Sequence, residues 1–267
     1  VTTDVGSTAA VFDYTVWLSA LPFLFGAAAI TWLISLPLRN AAIADPLWSL
    51  MLFMAGVIYA LGSDPRAPRL SLVLWLLALW ALRLSFHLAS RNAGKGEGRR
   101  YREMRERHDP GFPAKSLYLV FWLQAVLAWV ISLPLLGAFA STRPLNALDY
   151  AGLALWMLGF FFEAVADRQL ARFKKIPANA DQVLDRGLWR LTRHPNYFGE
   201  FCIWWGFWLM ALAAGAWWSM AGPALLTLLL LRVSGIRRME KDIGKRRPQY
   251  ADYVLKTNAF FPGAPRN

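Results

Sequence analysis

Runs of about 20 apolar residues, interrupted by polar or basic stretches, recur along all 267 residues of the chain. A helix needs about 20 apolar residues to cross the hydrocarbon core of a bilayer. The pattern predicts seven helices, at about 15–37, 42–61, 70–91, 116–139, 147–171, 197–214 and 216–234. The expected fold is therefore all-α: a polytopic integral membrane protein forming one membrane domain over residues 1–267. Short loops follow the second, fourth and sixth helices, whereas long basic segments follow the third, fifth and seventh. Residues Arg91 to Lys115, Arg168 to Arg193 and Arg232 to Asn267 together carry 24 of the 29 Lys and Arg. The positive-inside rule then puts the N-terminus outside and the C-terminus in the cytoplasm. Residues Arg237 to Lys256 set Ile243, Tyr250, Tyr253 and Val254 against many cations, which predicts a short amphipathic helix at the membrane surface. No helix face shows the small-xxx-small stripe that marks close helix pairs.

Composition supports the membrane reading. Hydrophobic residues make up 57% of the chain, and the mean hydropathy of +0.33 is too high for an ordinary soluble domain. A net charge of +12 on a soluble protein would suggest nucleic acid. Here the cations lie in loops, so topology, anionic lipid or a cofactor phosphate accounts for them. The expected partner is the lipid bilayer, with no nucleic acid and no protein partner implied. The single cysteine, Cys202, lies in an apolar run and forms no internal disulfide.

Polar residues within apolar runs are costly and mark function by default. They are Asp45 in the second predicted helix, Arg83 and His87 in the third, Gln124 in the fourth, and Glu163 and Asp167 in the fifth. Asn196 and Glu200 open the sixth, Arg232 closes the seventh, and Glu240 lies beyond it. All fall in the half nearer the basic loops, so they are expected to converge on one cavity open to the cytoplasm. An ion-pair network, such as Arg83 with Asp45 or Glu163, is the structural alternative. The other half is apolar and aromatic, with Trp48, Trp80 and others suited to a flat or long apolar ligand. A soluble cofactor and a lipid-soluble substrate account for both halves. The division expected is substrate cavity in helices one to four, 15–139, and cofactor site in helices five to seven with their loops, 147–267.

The densest polar cluster is Leu188-Trp189-Arg190-Leu191-Thr192-Arg193-His194-Pro195-Asn196-Tyr197-Phe198-Gly199-Glu200, which runs straight into the Trp-rich stretch Phe201 to Ala213. Interfacial anchoring explains Trp189, Arg190 and Arg193 but not Asn196 and Glu200, one helical turn apart. Gly94-Lys95-Gly96-Glu97-Gly98 looks like a phosphate loop, and Arg91, Lys95, Arg99 and Arg100 could help it hold phosphate. It follows no strand, so it does not match the dinucleotide fingerprint. His87, His108 and His194 lack metal-ligand spacing, and no metal site is expected.

The run Gly187 to Glu200 resembles the signature of steroid 5-alpha-reductase-like membrane proteins, which share the 3-oxo-5-alpha-steroid 4-dehydrogenase C-terminal domain. Asp45 to Leu50, Arg83 to His87 with Arg91-Asn92, and Gly94 to Glu97 are similar to the bacterial branch. So are Glu163 to Asp167 with Gln169-Leu170, and Glu240 with Tyr250 and Tyr253. The resemblance implies an NADPH-dependent reductase of a conjugated carbon–carbon double bond, typically 3-oxo-Δ4 steroid to 3-oxo-5α steroid. It implies that Asp167, Arg172, Arg193, His194, Asn196, Tyr197, Glu200, Arg232, Glu240 and Tyr250 bind NADPH. Trp48, Trp80, Gln124 and Glu163 would line the substrate site. The animal enzymes polarise the ketone with a Gln-Glu pair and a Tyr, where this chain offers Asp45, Arg83 and His87. His87, Arg83 or a protonated Asp45 would be the donor to the developing oxyanion. A bacterial inner membrane, with the active site facing the cytoplasm, is the expected location. The alternatives are a sterol Δ14 or Δ7 reductase, an S-adenosylmethionine-dependent methyltransferase of the isoprenylcysteine or phospholipid type, and a non-catalytic lipid-binding protein.

Overall fold

The computed structural model describes residues 11–64, 66–233, 240, 243 and 249–266. Among these residues there is helix and no strand. Five helical stretches are long and apolar enough to cross a membrane: α1 (Tyr14–Leu38), α2 (Ala41–Leu61), α3 (Pro68–Asn92), α5 (Phe112–Phe139) and α6 (Ala147–Lys174). Between α3 and α5 lies α4 (Arg99–His108), a helix within a stretch expected only as a basic loop. Two more helices, α7 (Pro195–Ala213) and α8 (Ala221–Leu228, wound as a π-helix over Leu229–Val233), match the sixth and seventh predicted ranges. The predicted surface helix Arg237 to Lys256 lies mostly outside the described residues; its end forms α9 (Tyr250–Lys256).

The chain divides into two compact units. The first is Val1–Asn146 with Met210–Gly222, and the second is Ala147–Leu209 with Pro223–Asn267.

In the first unit α2 and α3 form an antiparallel hairpin. Gly56 meets the Leu77 side chain where the helices pack, and Ser49 Oγ donates to the Ala81 carbonyl at 2.9 Å. The Trp17 and Trp129 rings stack at 3.7 Å, with Trp129 Nε1 donating to the Trp17 carbonyl at 2.8 Å. α5 is irregular in two places. Leu117–Trp122 winds as a π-helix. The helix also breaks at Ser132, two residues before Pro134, which has no N–H for the regular ladder. The Ser132 hydroxyl shares a 2.9 Å hydrogen bond with Tyr59. Arg69 is completely buried and donates to the Arg143 and Pro144 carbonyls at 2.8 and 3.1 Å, which ties down the segment leading out of this unit.

In the second unit α6 and α7 touch backbone to backbone. A Cβ on Gly159 would lie 2.5 Å from the Gly199 carbonyl oxygen, and one on Gly199 would lie 2.5 Å from Glu163 N. Gly206 meets Gly152 in the same way, at 2.7 Å. These glycines are paired at seven-residue spacing on both helices, a closely packed face. Small residues every second turn leave room for backbone contact as well as those at every turn. Beyond α6 the chain folds back, and Phe173, Leu184 and Trp189 form a small core on Ala166. Gly187, at φ 64°, makes the turn that lets Leu188 N donate to Gln169 Oε1 at 3.1 Å.

Candidate functional site

Each unit holds one buried polar cluster. In the first unit it forms around Asp45, in the first turn of α2. Asp45 Oδ1 accepts from the Tyr101 hydroxyl at 2.7 Å, while Oδ2 accepts from Arg91 and Asn92, each at 3.3 Å. Gln124 stands beside the Tyr101 hydroxyl. Burial, then the Asp45 charge, raises the Tyr101 pKa well above the ordinary phenol range. Trp80 is fully buried, while Trp48, Arg83, His87 and Gln124 are half-buried.

In place of the alternative pairing of Asp45 with Arg83, Asp45 meets Arg91, Asn92 and Tyr101. The reason is position along α3: Arg91 is eight residues beyond Arg83, about 12 Å along the axis, and level with the start of α2. Sequence reasoning missed Tyr101. Its signal was present, since it is the one aromatic in the charged helix RRYREMRERH.

The glycine-rich loop also behaves differently from a phosphate loop. Glu97 turns onto the N-terminus of α2 and accepts from Ala41 N at 2.8 Å, while Arg105 grips it through two 2.8 Å bonds. Burial would raise the Glu97 pKa, but Arg105, the Ala41 N–H and the Arg102 charge together lower it. A carboxylate thus occupies the helix end that a phosphate would use. Of the four cations expected to help, Arg91 binds Asp45 and Arg99 binds Glu103 at 2.7 Å. Lys95 and Arg100 remain exposed.

In the second unit the cluster is built where Leu188 to Glu200 meets the C-terminal segment. Thr192 Oγ1 donates to the Phe260 carbonyl at 2.8 Å, and Arg193 N donates to the Asn258 carbonyl at 2.9 Å. The Tyr253 hydroxyl donates to the Trp189 carbonyl. Arg193, 8% exposed, uses its guanidinium almost entirely on the chain. Nε and Nη2 bind the two oxygens of Glu240 at 2.7 and 3.2 Å, and Nη1 donates to the Val254 and Thr257 carbonyls at 3.1 and 2.6 Å. His194 Nε2 lies 3.1 Å from Glu240 Oε1, and Tyr197 stacks on the His194 ring at 5.7 Å. Burial pushes the Glu240 pKa up, but hydrogen bonds and charge from His194 and Arg193 outweigh it and bring it to about 2. Burial, then the Glu240 charge, pushes Tyr250 up to about 12.

Pro195 opens α7 with the fixed φ that suits a first helical position. This sets Asn196 against α6, where its amide donates to Asp167 Oδ1 at 3.4 Å. Glu163 and Asp167 are buried, and Glu200 is half-buried. Arg172 and Arg232 are exposed. Among the described residues, no three His, Cys, Asp or Glu come together as a metal site.

A phosphorylated dinucleotide needs uncommitted cations beside directional hydrogen-bonding groups. Arg172 and Arg232 are exposed cations of the second unit, and Asn196 and Glu200 stand at the head of α7. Arg193 does not fit that need, because its donors are spent on Glu240 and two carbonyls. It holds the C-terminal segment in place, so any role toward a cofactor is positioning.

Residues 31–257 match the family described as "Protein of unknown function (DUF1295)", and the chain belongs to that family. It is also similar to "Uncharacterized protein C594.04c" of Schizosaccharomyces pombe, with 25% identity over 269 residues, covering 91% of this chain and 78% of the relative. No solved structure matches the chain.

Proposed function

We propose that this protein is an NADPH-dependent reductase of a conjugated carbon–carbon double bond in a steroid-like lipid. The observation that carries the reading is the buried Tyr101 hydroxyl, which donates to Asp45 beside Gln124. The 3-oxo-Δ4 steroids suggested by the resemblance are the first substrates to test. The proposal includes seven spans with the N-terminus outside, the C-terminus in the cytoplasm, and a bacterial inner membrane as location. The first unit is assigned the lipid and the second the cofactor.

NADPH, when bound, supplies a hydride to one carbon of the double bond. The chain's residues would do the rest. Tyr101 Oη gives its proton to the neighbouring carbon, and the raised pKa keeps that hydroxyl loaded at neutral pH. Gln124 donates to the oxygen left behind, while Asp45 fixes the hydroxyl's direction. The apolar helices exclude water from the reacting atoms. In the second unit Arg172 and Arg232 would meet phosphate, and Asn196 and Glu200 would orient the cofactor.

One observation favours a second reading, methyl transfer from S-adenosylmethionine. The Arg193 donors are already spent, which suits a cofactor without phosphate. Thermal stabilisation of the purified protein by NADPH, NADH and S-adenosylmethionine separates the two. A shift with NADPH that is lost in Asn196→Ala and Glu200→Ala supports the reductase. A shift with S-adenosylmethionine alone overturns it.

A further inference from the structure

The Asp45 cluster contains one buried atom that the chain leaves unsatisfied. Asp45 Oδ2 accepts from Arg91 and Asn92, and Oδ1 accepts the Tyr101 proton. Gln124 is the neighbour of the Tyr101 hydroxyl. Gln124 Oε1 is left buried, with no donor among the described residues. A buried acceptor without a donor is costly, and native structures rarely keep one without a use. The atom follows directly on the π-helical stretch Leu117–Trp122, an irregularity that often accompanies functional sites. Around it α5 is apolar, with Val120, Phe121 and Ala125 buried.

We infer that Gln124 determines specificity, its Oε1 accepting a hydrogen bond from an alcohol on the substrate. The substrate class is then a hydroxylated steroid-like lipid rather than one whose polar groups are all ketones. With Gln124 Oε1 open, the cluster receives a donor better than a second acceptor. This rests on the reading of the first unit as the lipid-binding part.

The test uses two matched steroid pairs, alcohol against ketone at C3 and alcohol against ketone at C17. Binding to the full-length protein is read from the concentration dependence of the apparent melting temperature. In one pair the alcohol should bind at least about tenfold tighter. Gln124→Leu should erase that preference. Gln124→Glu keeps an acceptor oxygen at the same place and should retain the preference, which guards against a Gln124→Leu protein that fails to fold. The inference is overturned if neither pair favours the alcohol, or if the preference survives Gln124→Leu. If no steroid of either pair binds, the inference falls together with the steroid reading. If the ketones bind as well or better, it falls alone.

Discussion

Glu240→Gln probes the strongest electrostatic contact of the second unit. The Glu240 carboxylate bridges Arg193 and His194, whose side chains are 9% and 3% exposed. Lowering its pKa from 4.5 to about 2 sets an upper value of about 3 kcal/mol, at ~1.4 kcal/mol per tenfold change in acidity. Glu240 is itself 22% exposed, so solvent screening reduces this to about 1–2 kcal/mol. The variant also leaves Arg193 Nε and Nη2 facing a neutral amide, and loss of one partner of a largely buried pair is the costly case. We expect about 2 kcal/mol of destabilisation at pH 7. For a chain of this size that corresponds to roughly 5 °C in apparent melting temperature. The pH dependence adds a second criterion. A carboxylate with a depressed folded-state pKa contributes fully above its unfolded value of 4.5 and loses that contribution as pH falls towards 2. The gap between wild type and variant should therefore be wide at pH 7 and narrow progressively below pH 4.5. Melting curves in detergent at several pH values between 7 and 3 measure it. Equal stabilities at pH 7, or a gap that stays constant down to pH 3, would refute the clamp.

Three further outcomes follow from the packing and the clusters. Gly199→Ala places a methyl 2.5 Å from Glu163 N and 2.6 Å from the Gly159 carbonyl. Neither backbone can yield cheaply, so a loss of about 1–3 kcal/mol is expected, visible as a lowered melting temperature and yield; an unchanged protein would mean α6 and α7 are not in backbone contact. Tyr101→Phe should lower turnover at least about 100-fold, measured by NADPH oxidation in the presence of the lipid, with only a few degrees lost in stability. Unchanged turnover would remove Tyr101 from the proton path. Glu97→Gln should speed amide hydrogen exchange at Ala41 and along α4, because the bonds from Ala41 and Arg105 weaken together. Exchange rates equal to wild type would show that the glycine-rich loop is held by other contacts.

The helices were largely legible in the sequence, and the reason is local. Each apolar run carries its own transfer free energy, summed over about 20 neighbouring residues, so α1 to α3 and α5 to α7 emerge with ends displaced by only a few positions. The importance of Arg193, His194 and Asn196 was legible too, since charge next to an apolar run is costly wherever the chain goes. The partners were not. Arg193 meets Glu240 from 47 positions away and Tyr101 meets Asp45 from 56. Helix α4 was hidden because its apolar signal is only Tyr101 and Met104 in a run of charges.

Composition and hydrophobic pattern therefore determined that this is a helical, membrane-type protein with polar residues gathered near its basic loops. Only the tertiary structure decided which donors meet which acceptors. It spent the Arg193 guanidinium on Glu240 and two carbonyls, brought Tyr101 to Asp45, and set Glu97 against Ala41 N at the head of α2. Burial is additive along the chain and tolerates displacements of a residue or more. A hydrogen bond is lost beyond about 3.5 Å, so its partner is known only once distant segments are placed to within a fraction of an ångström.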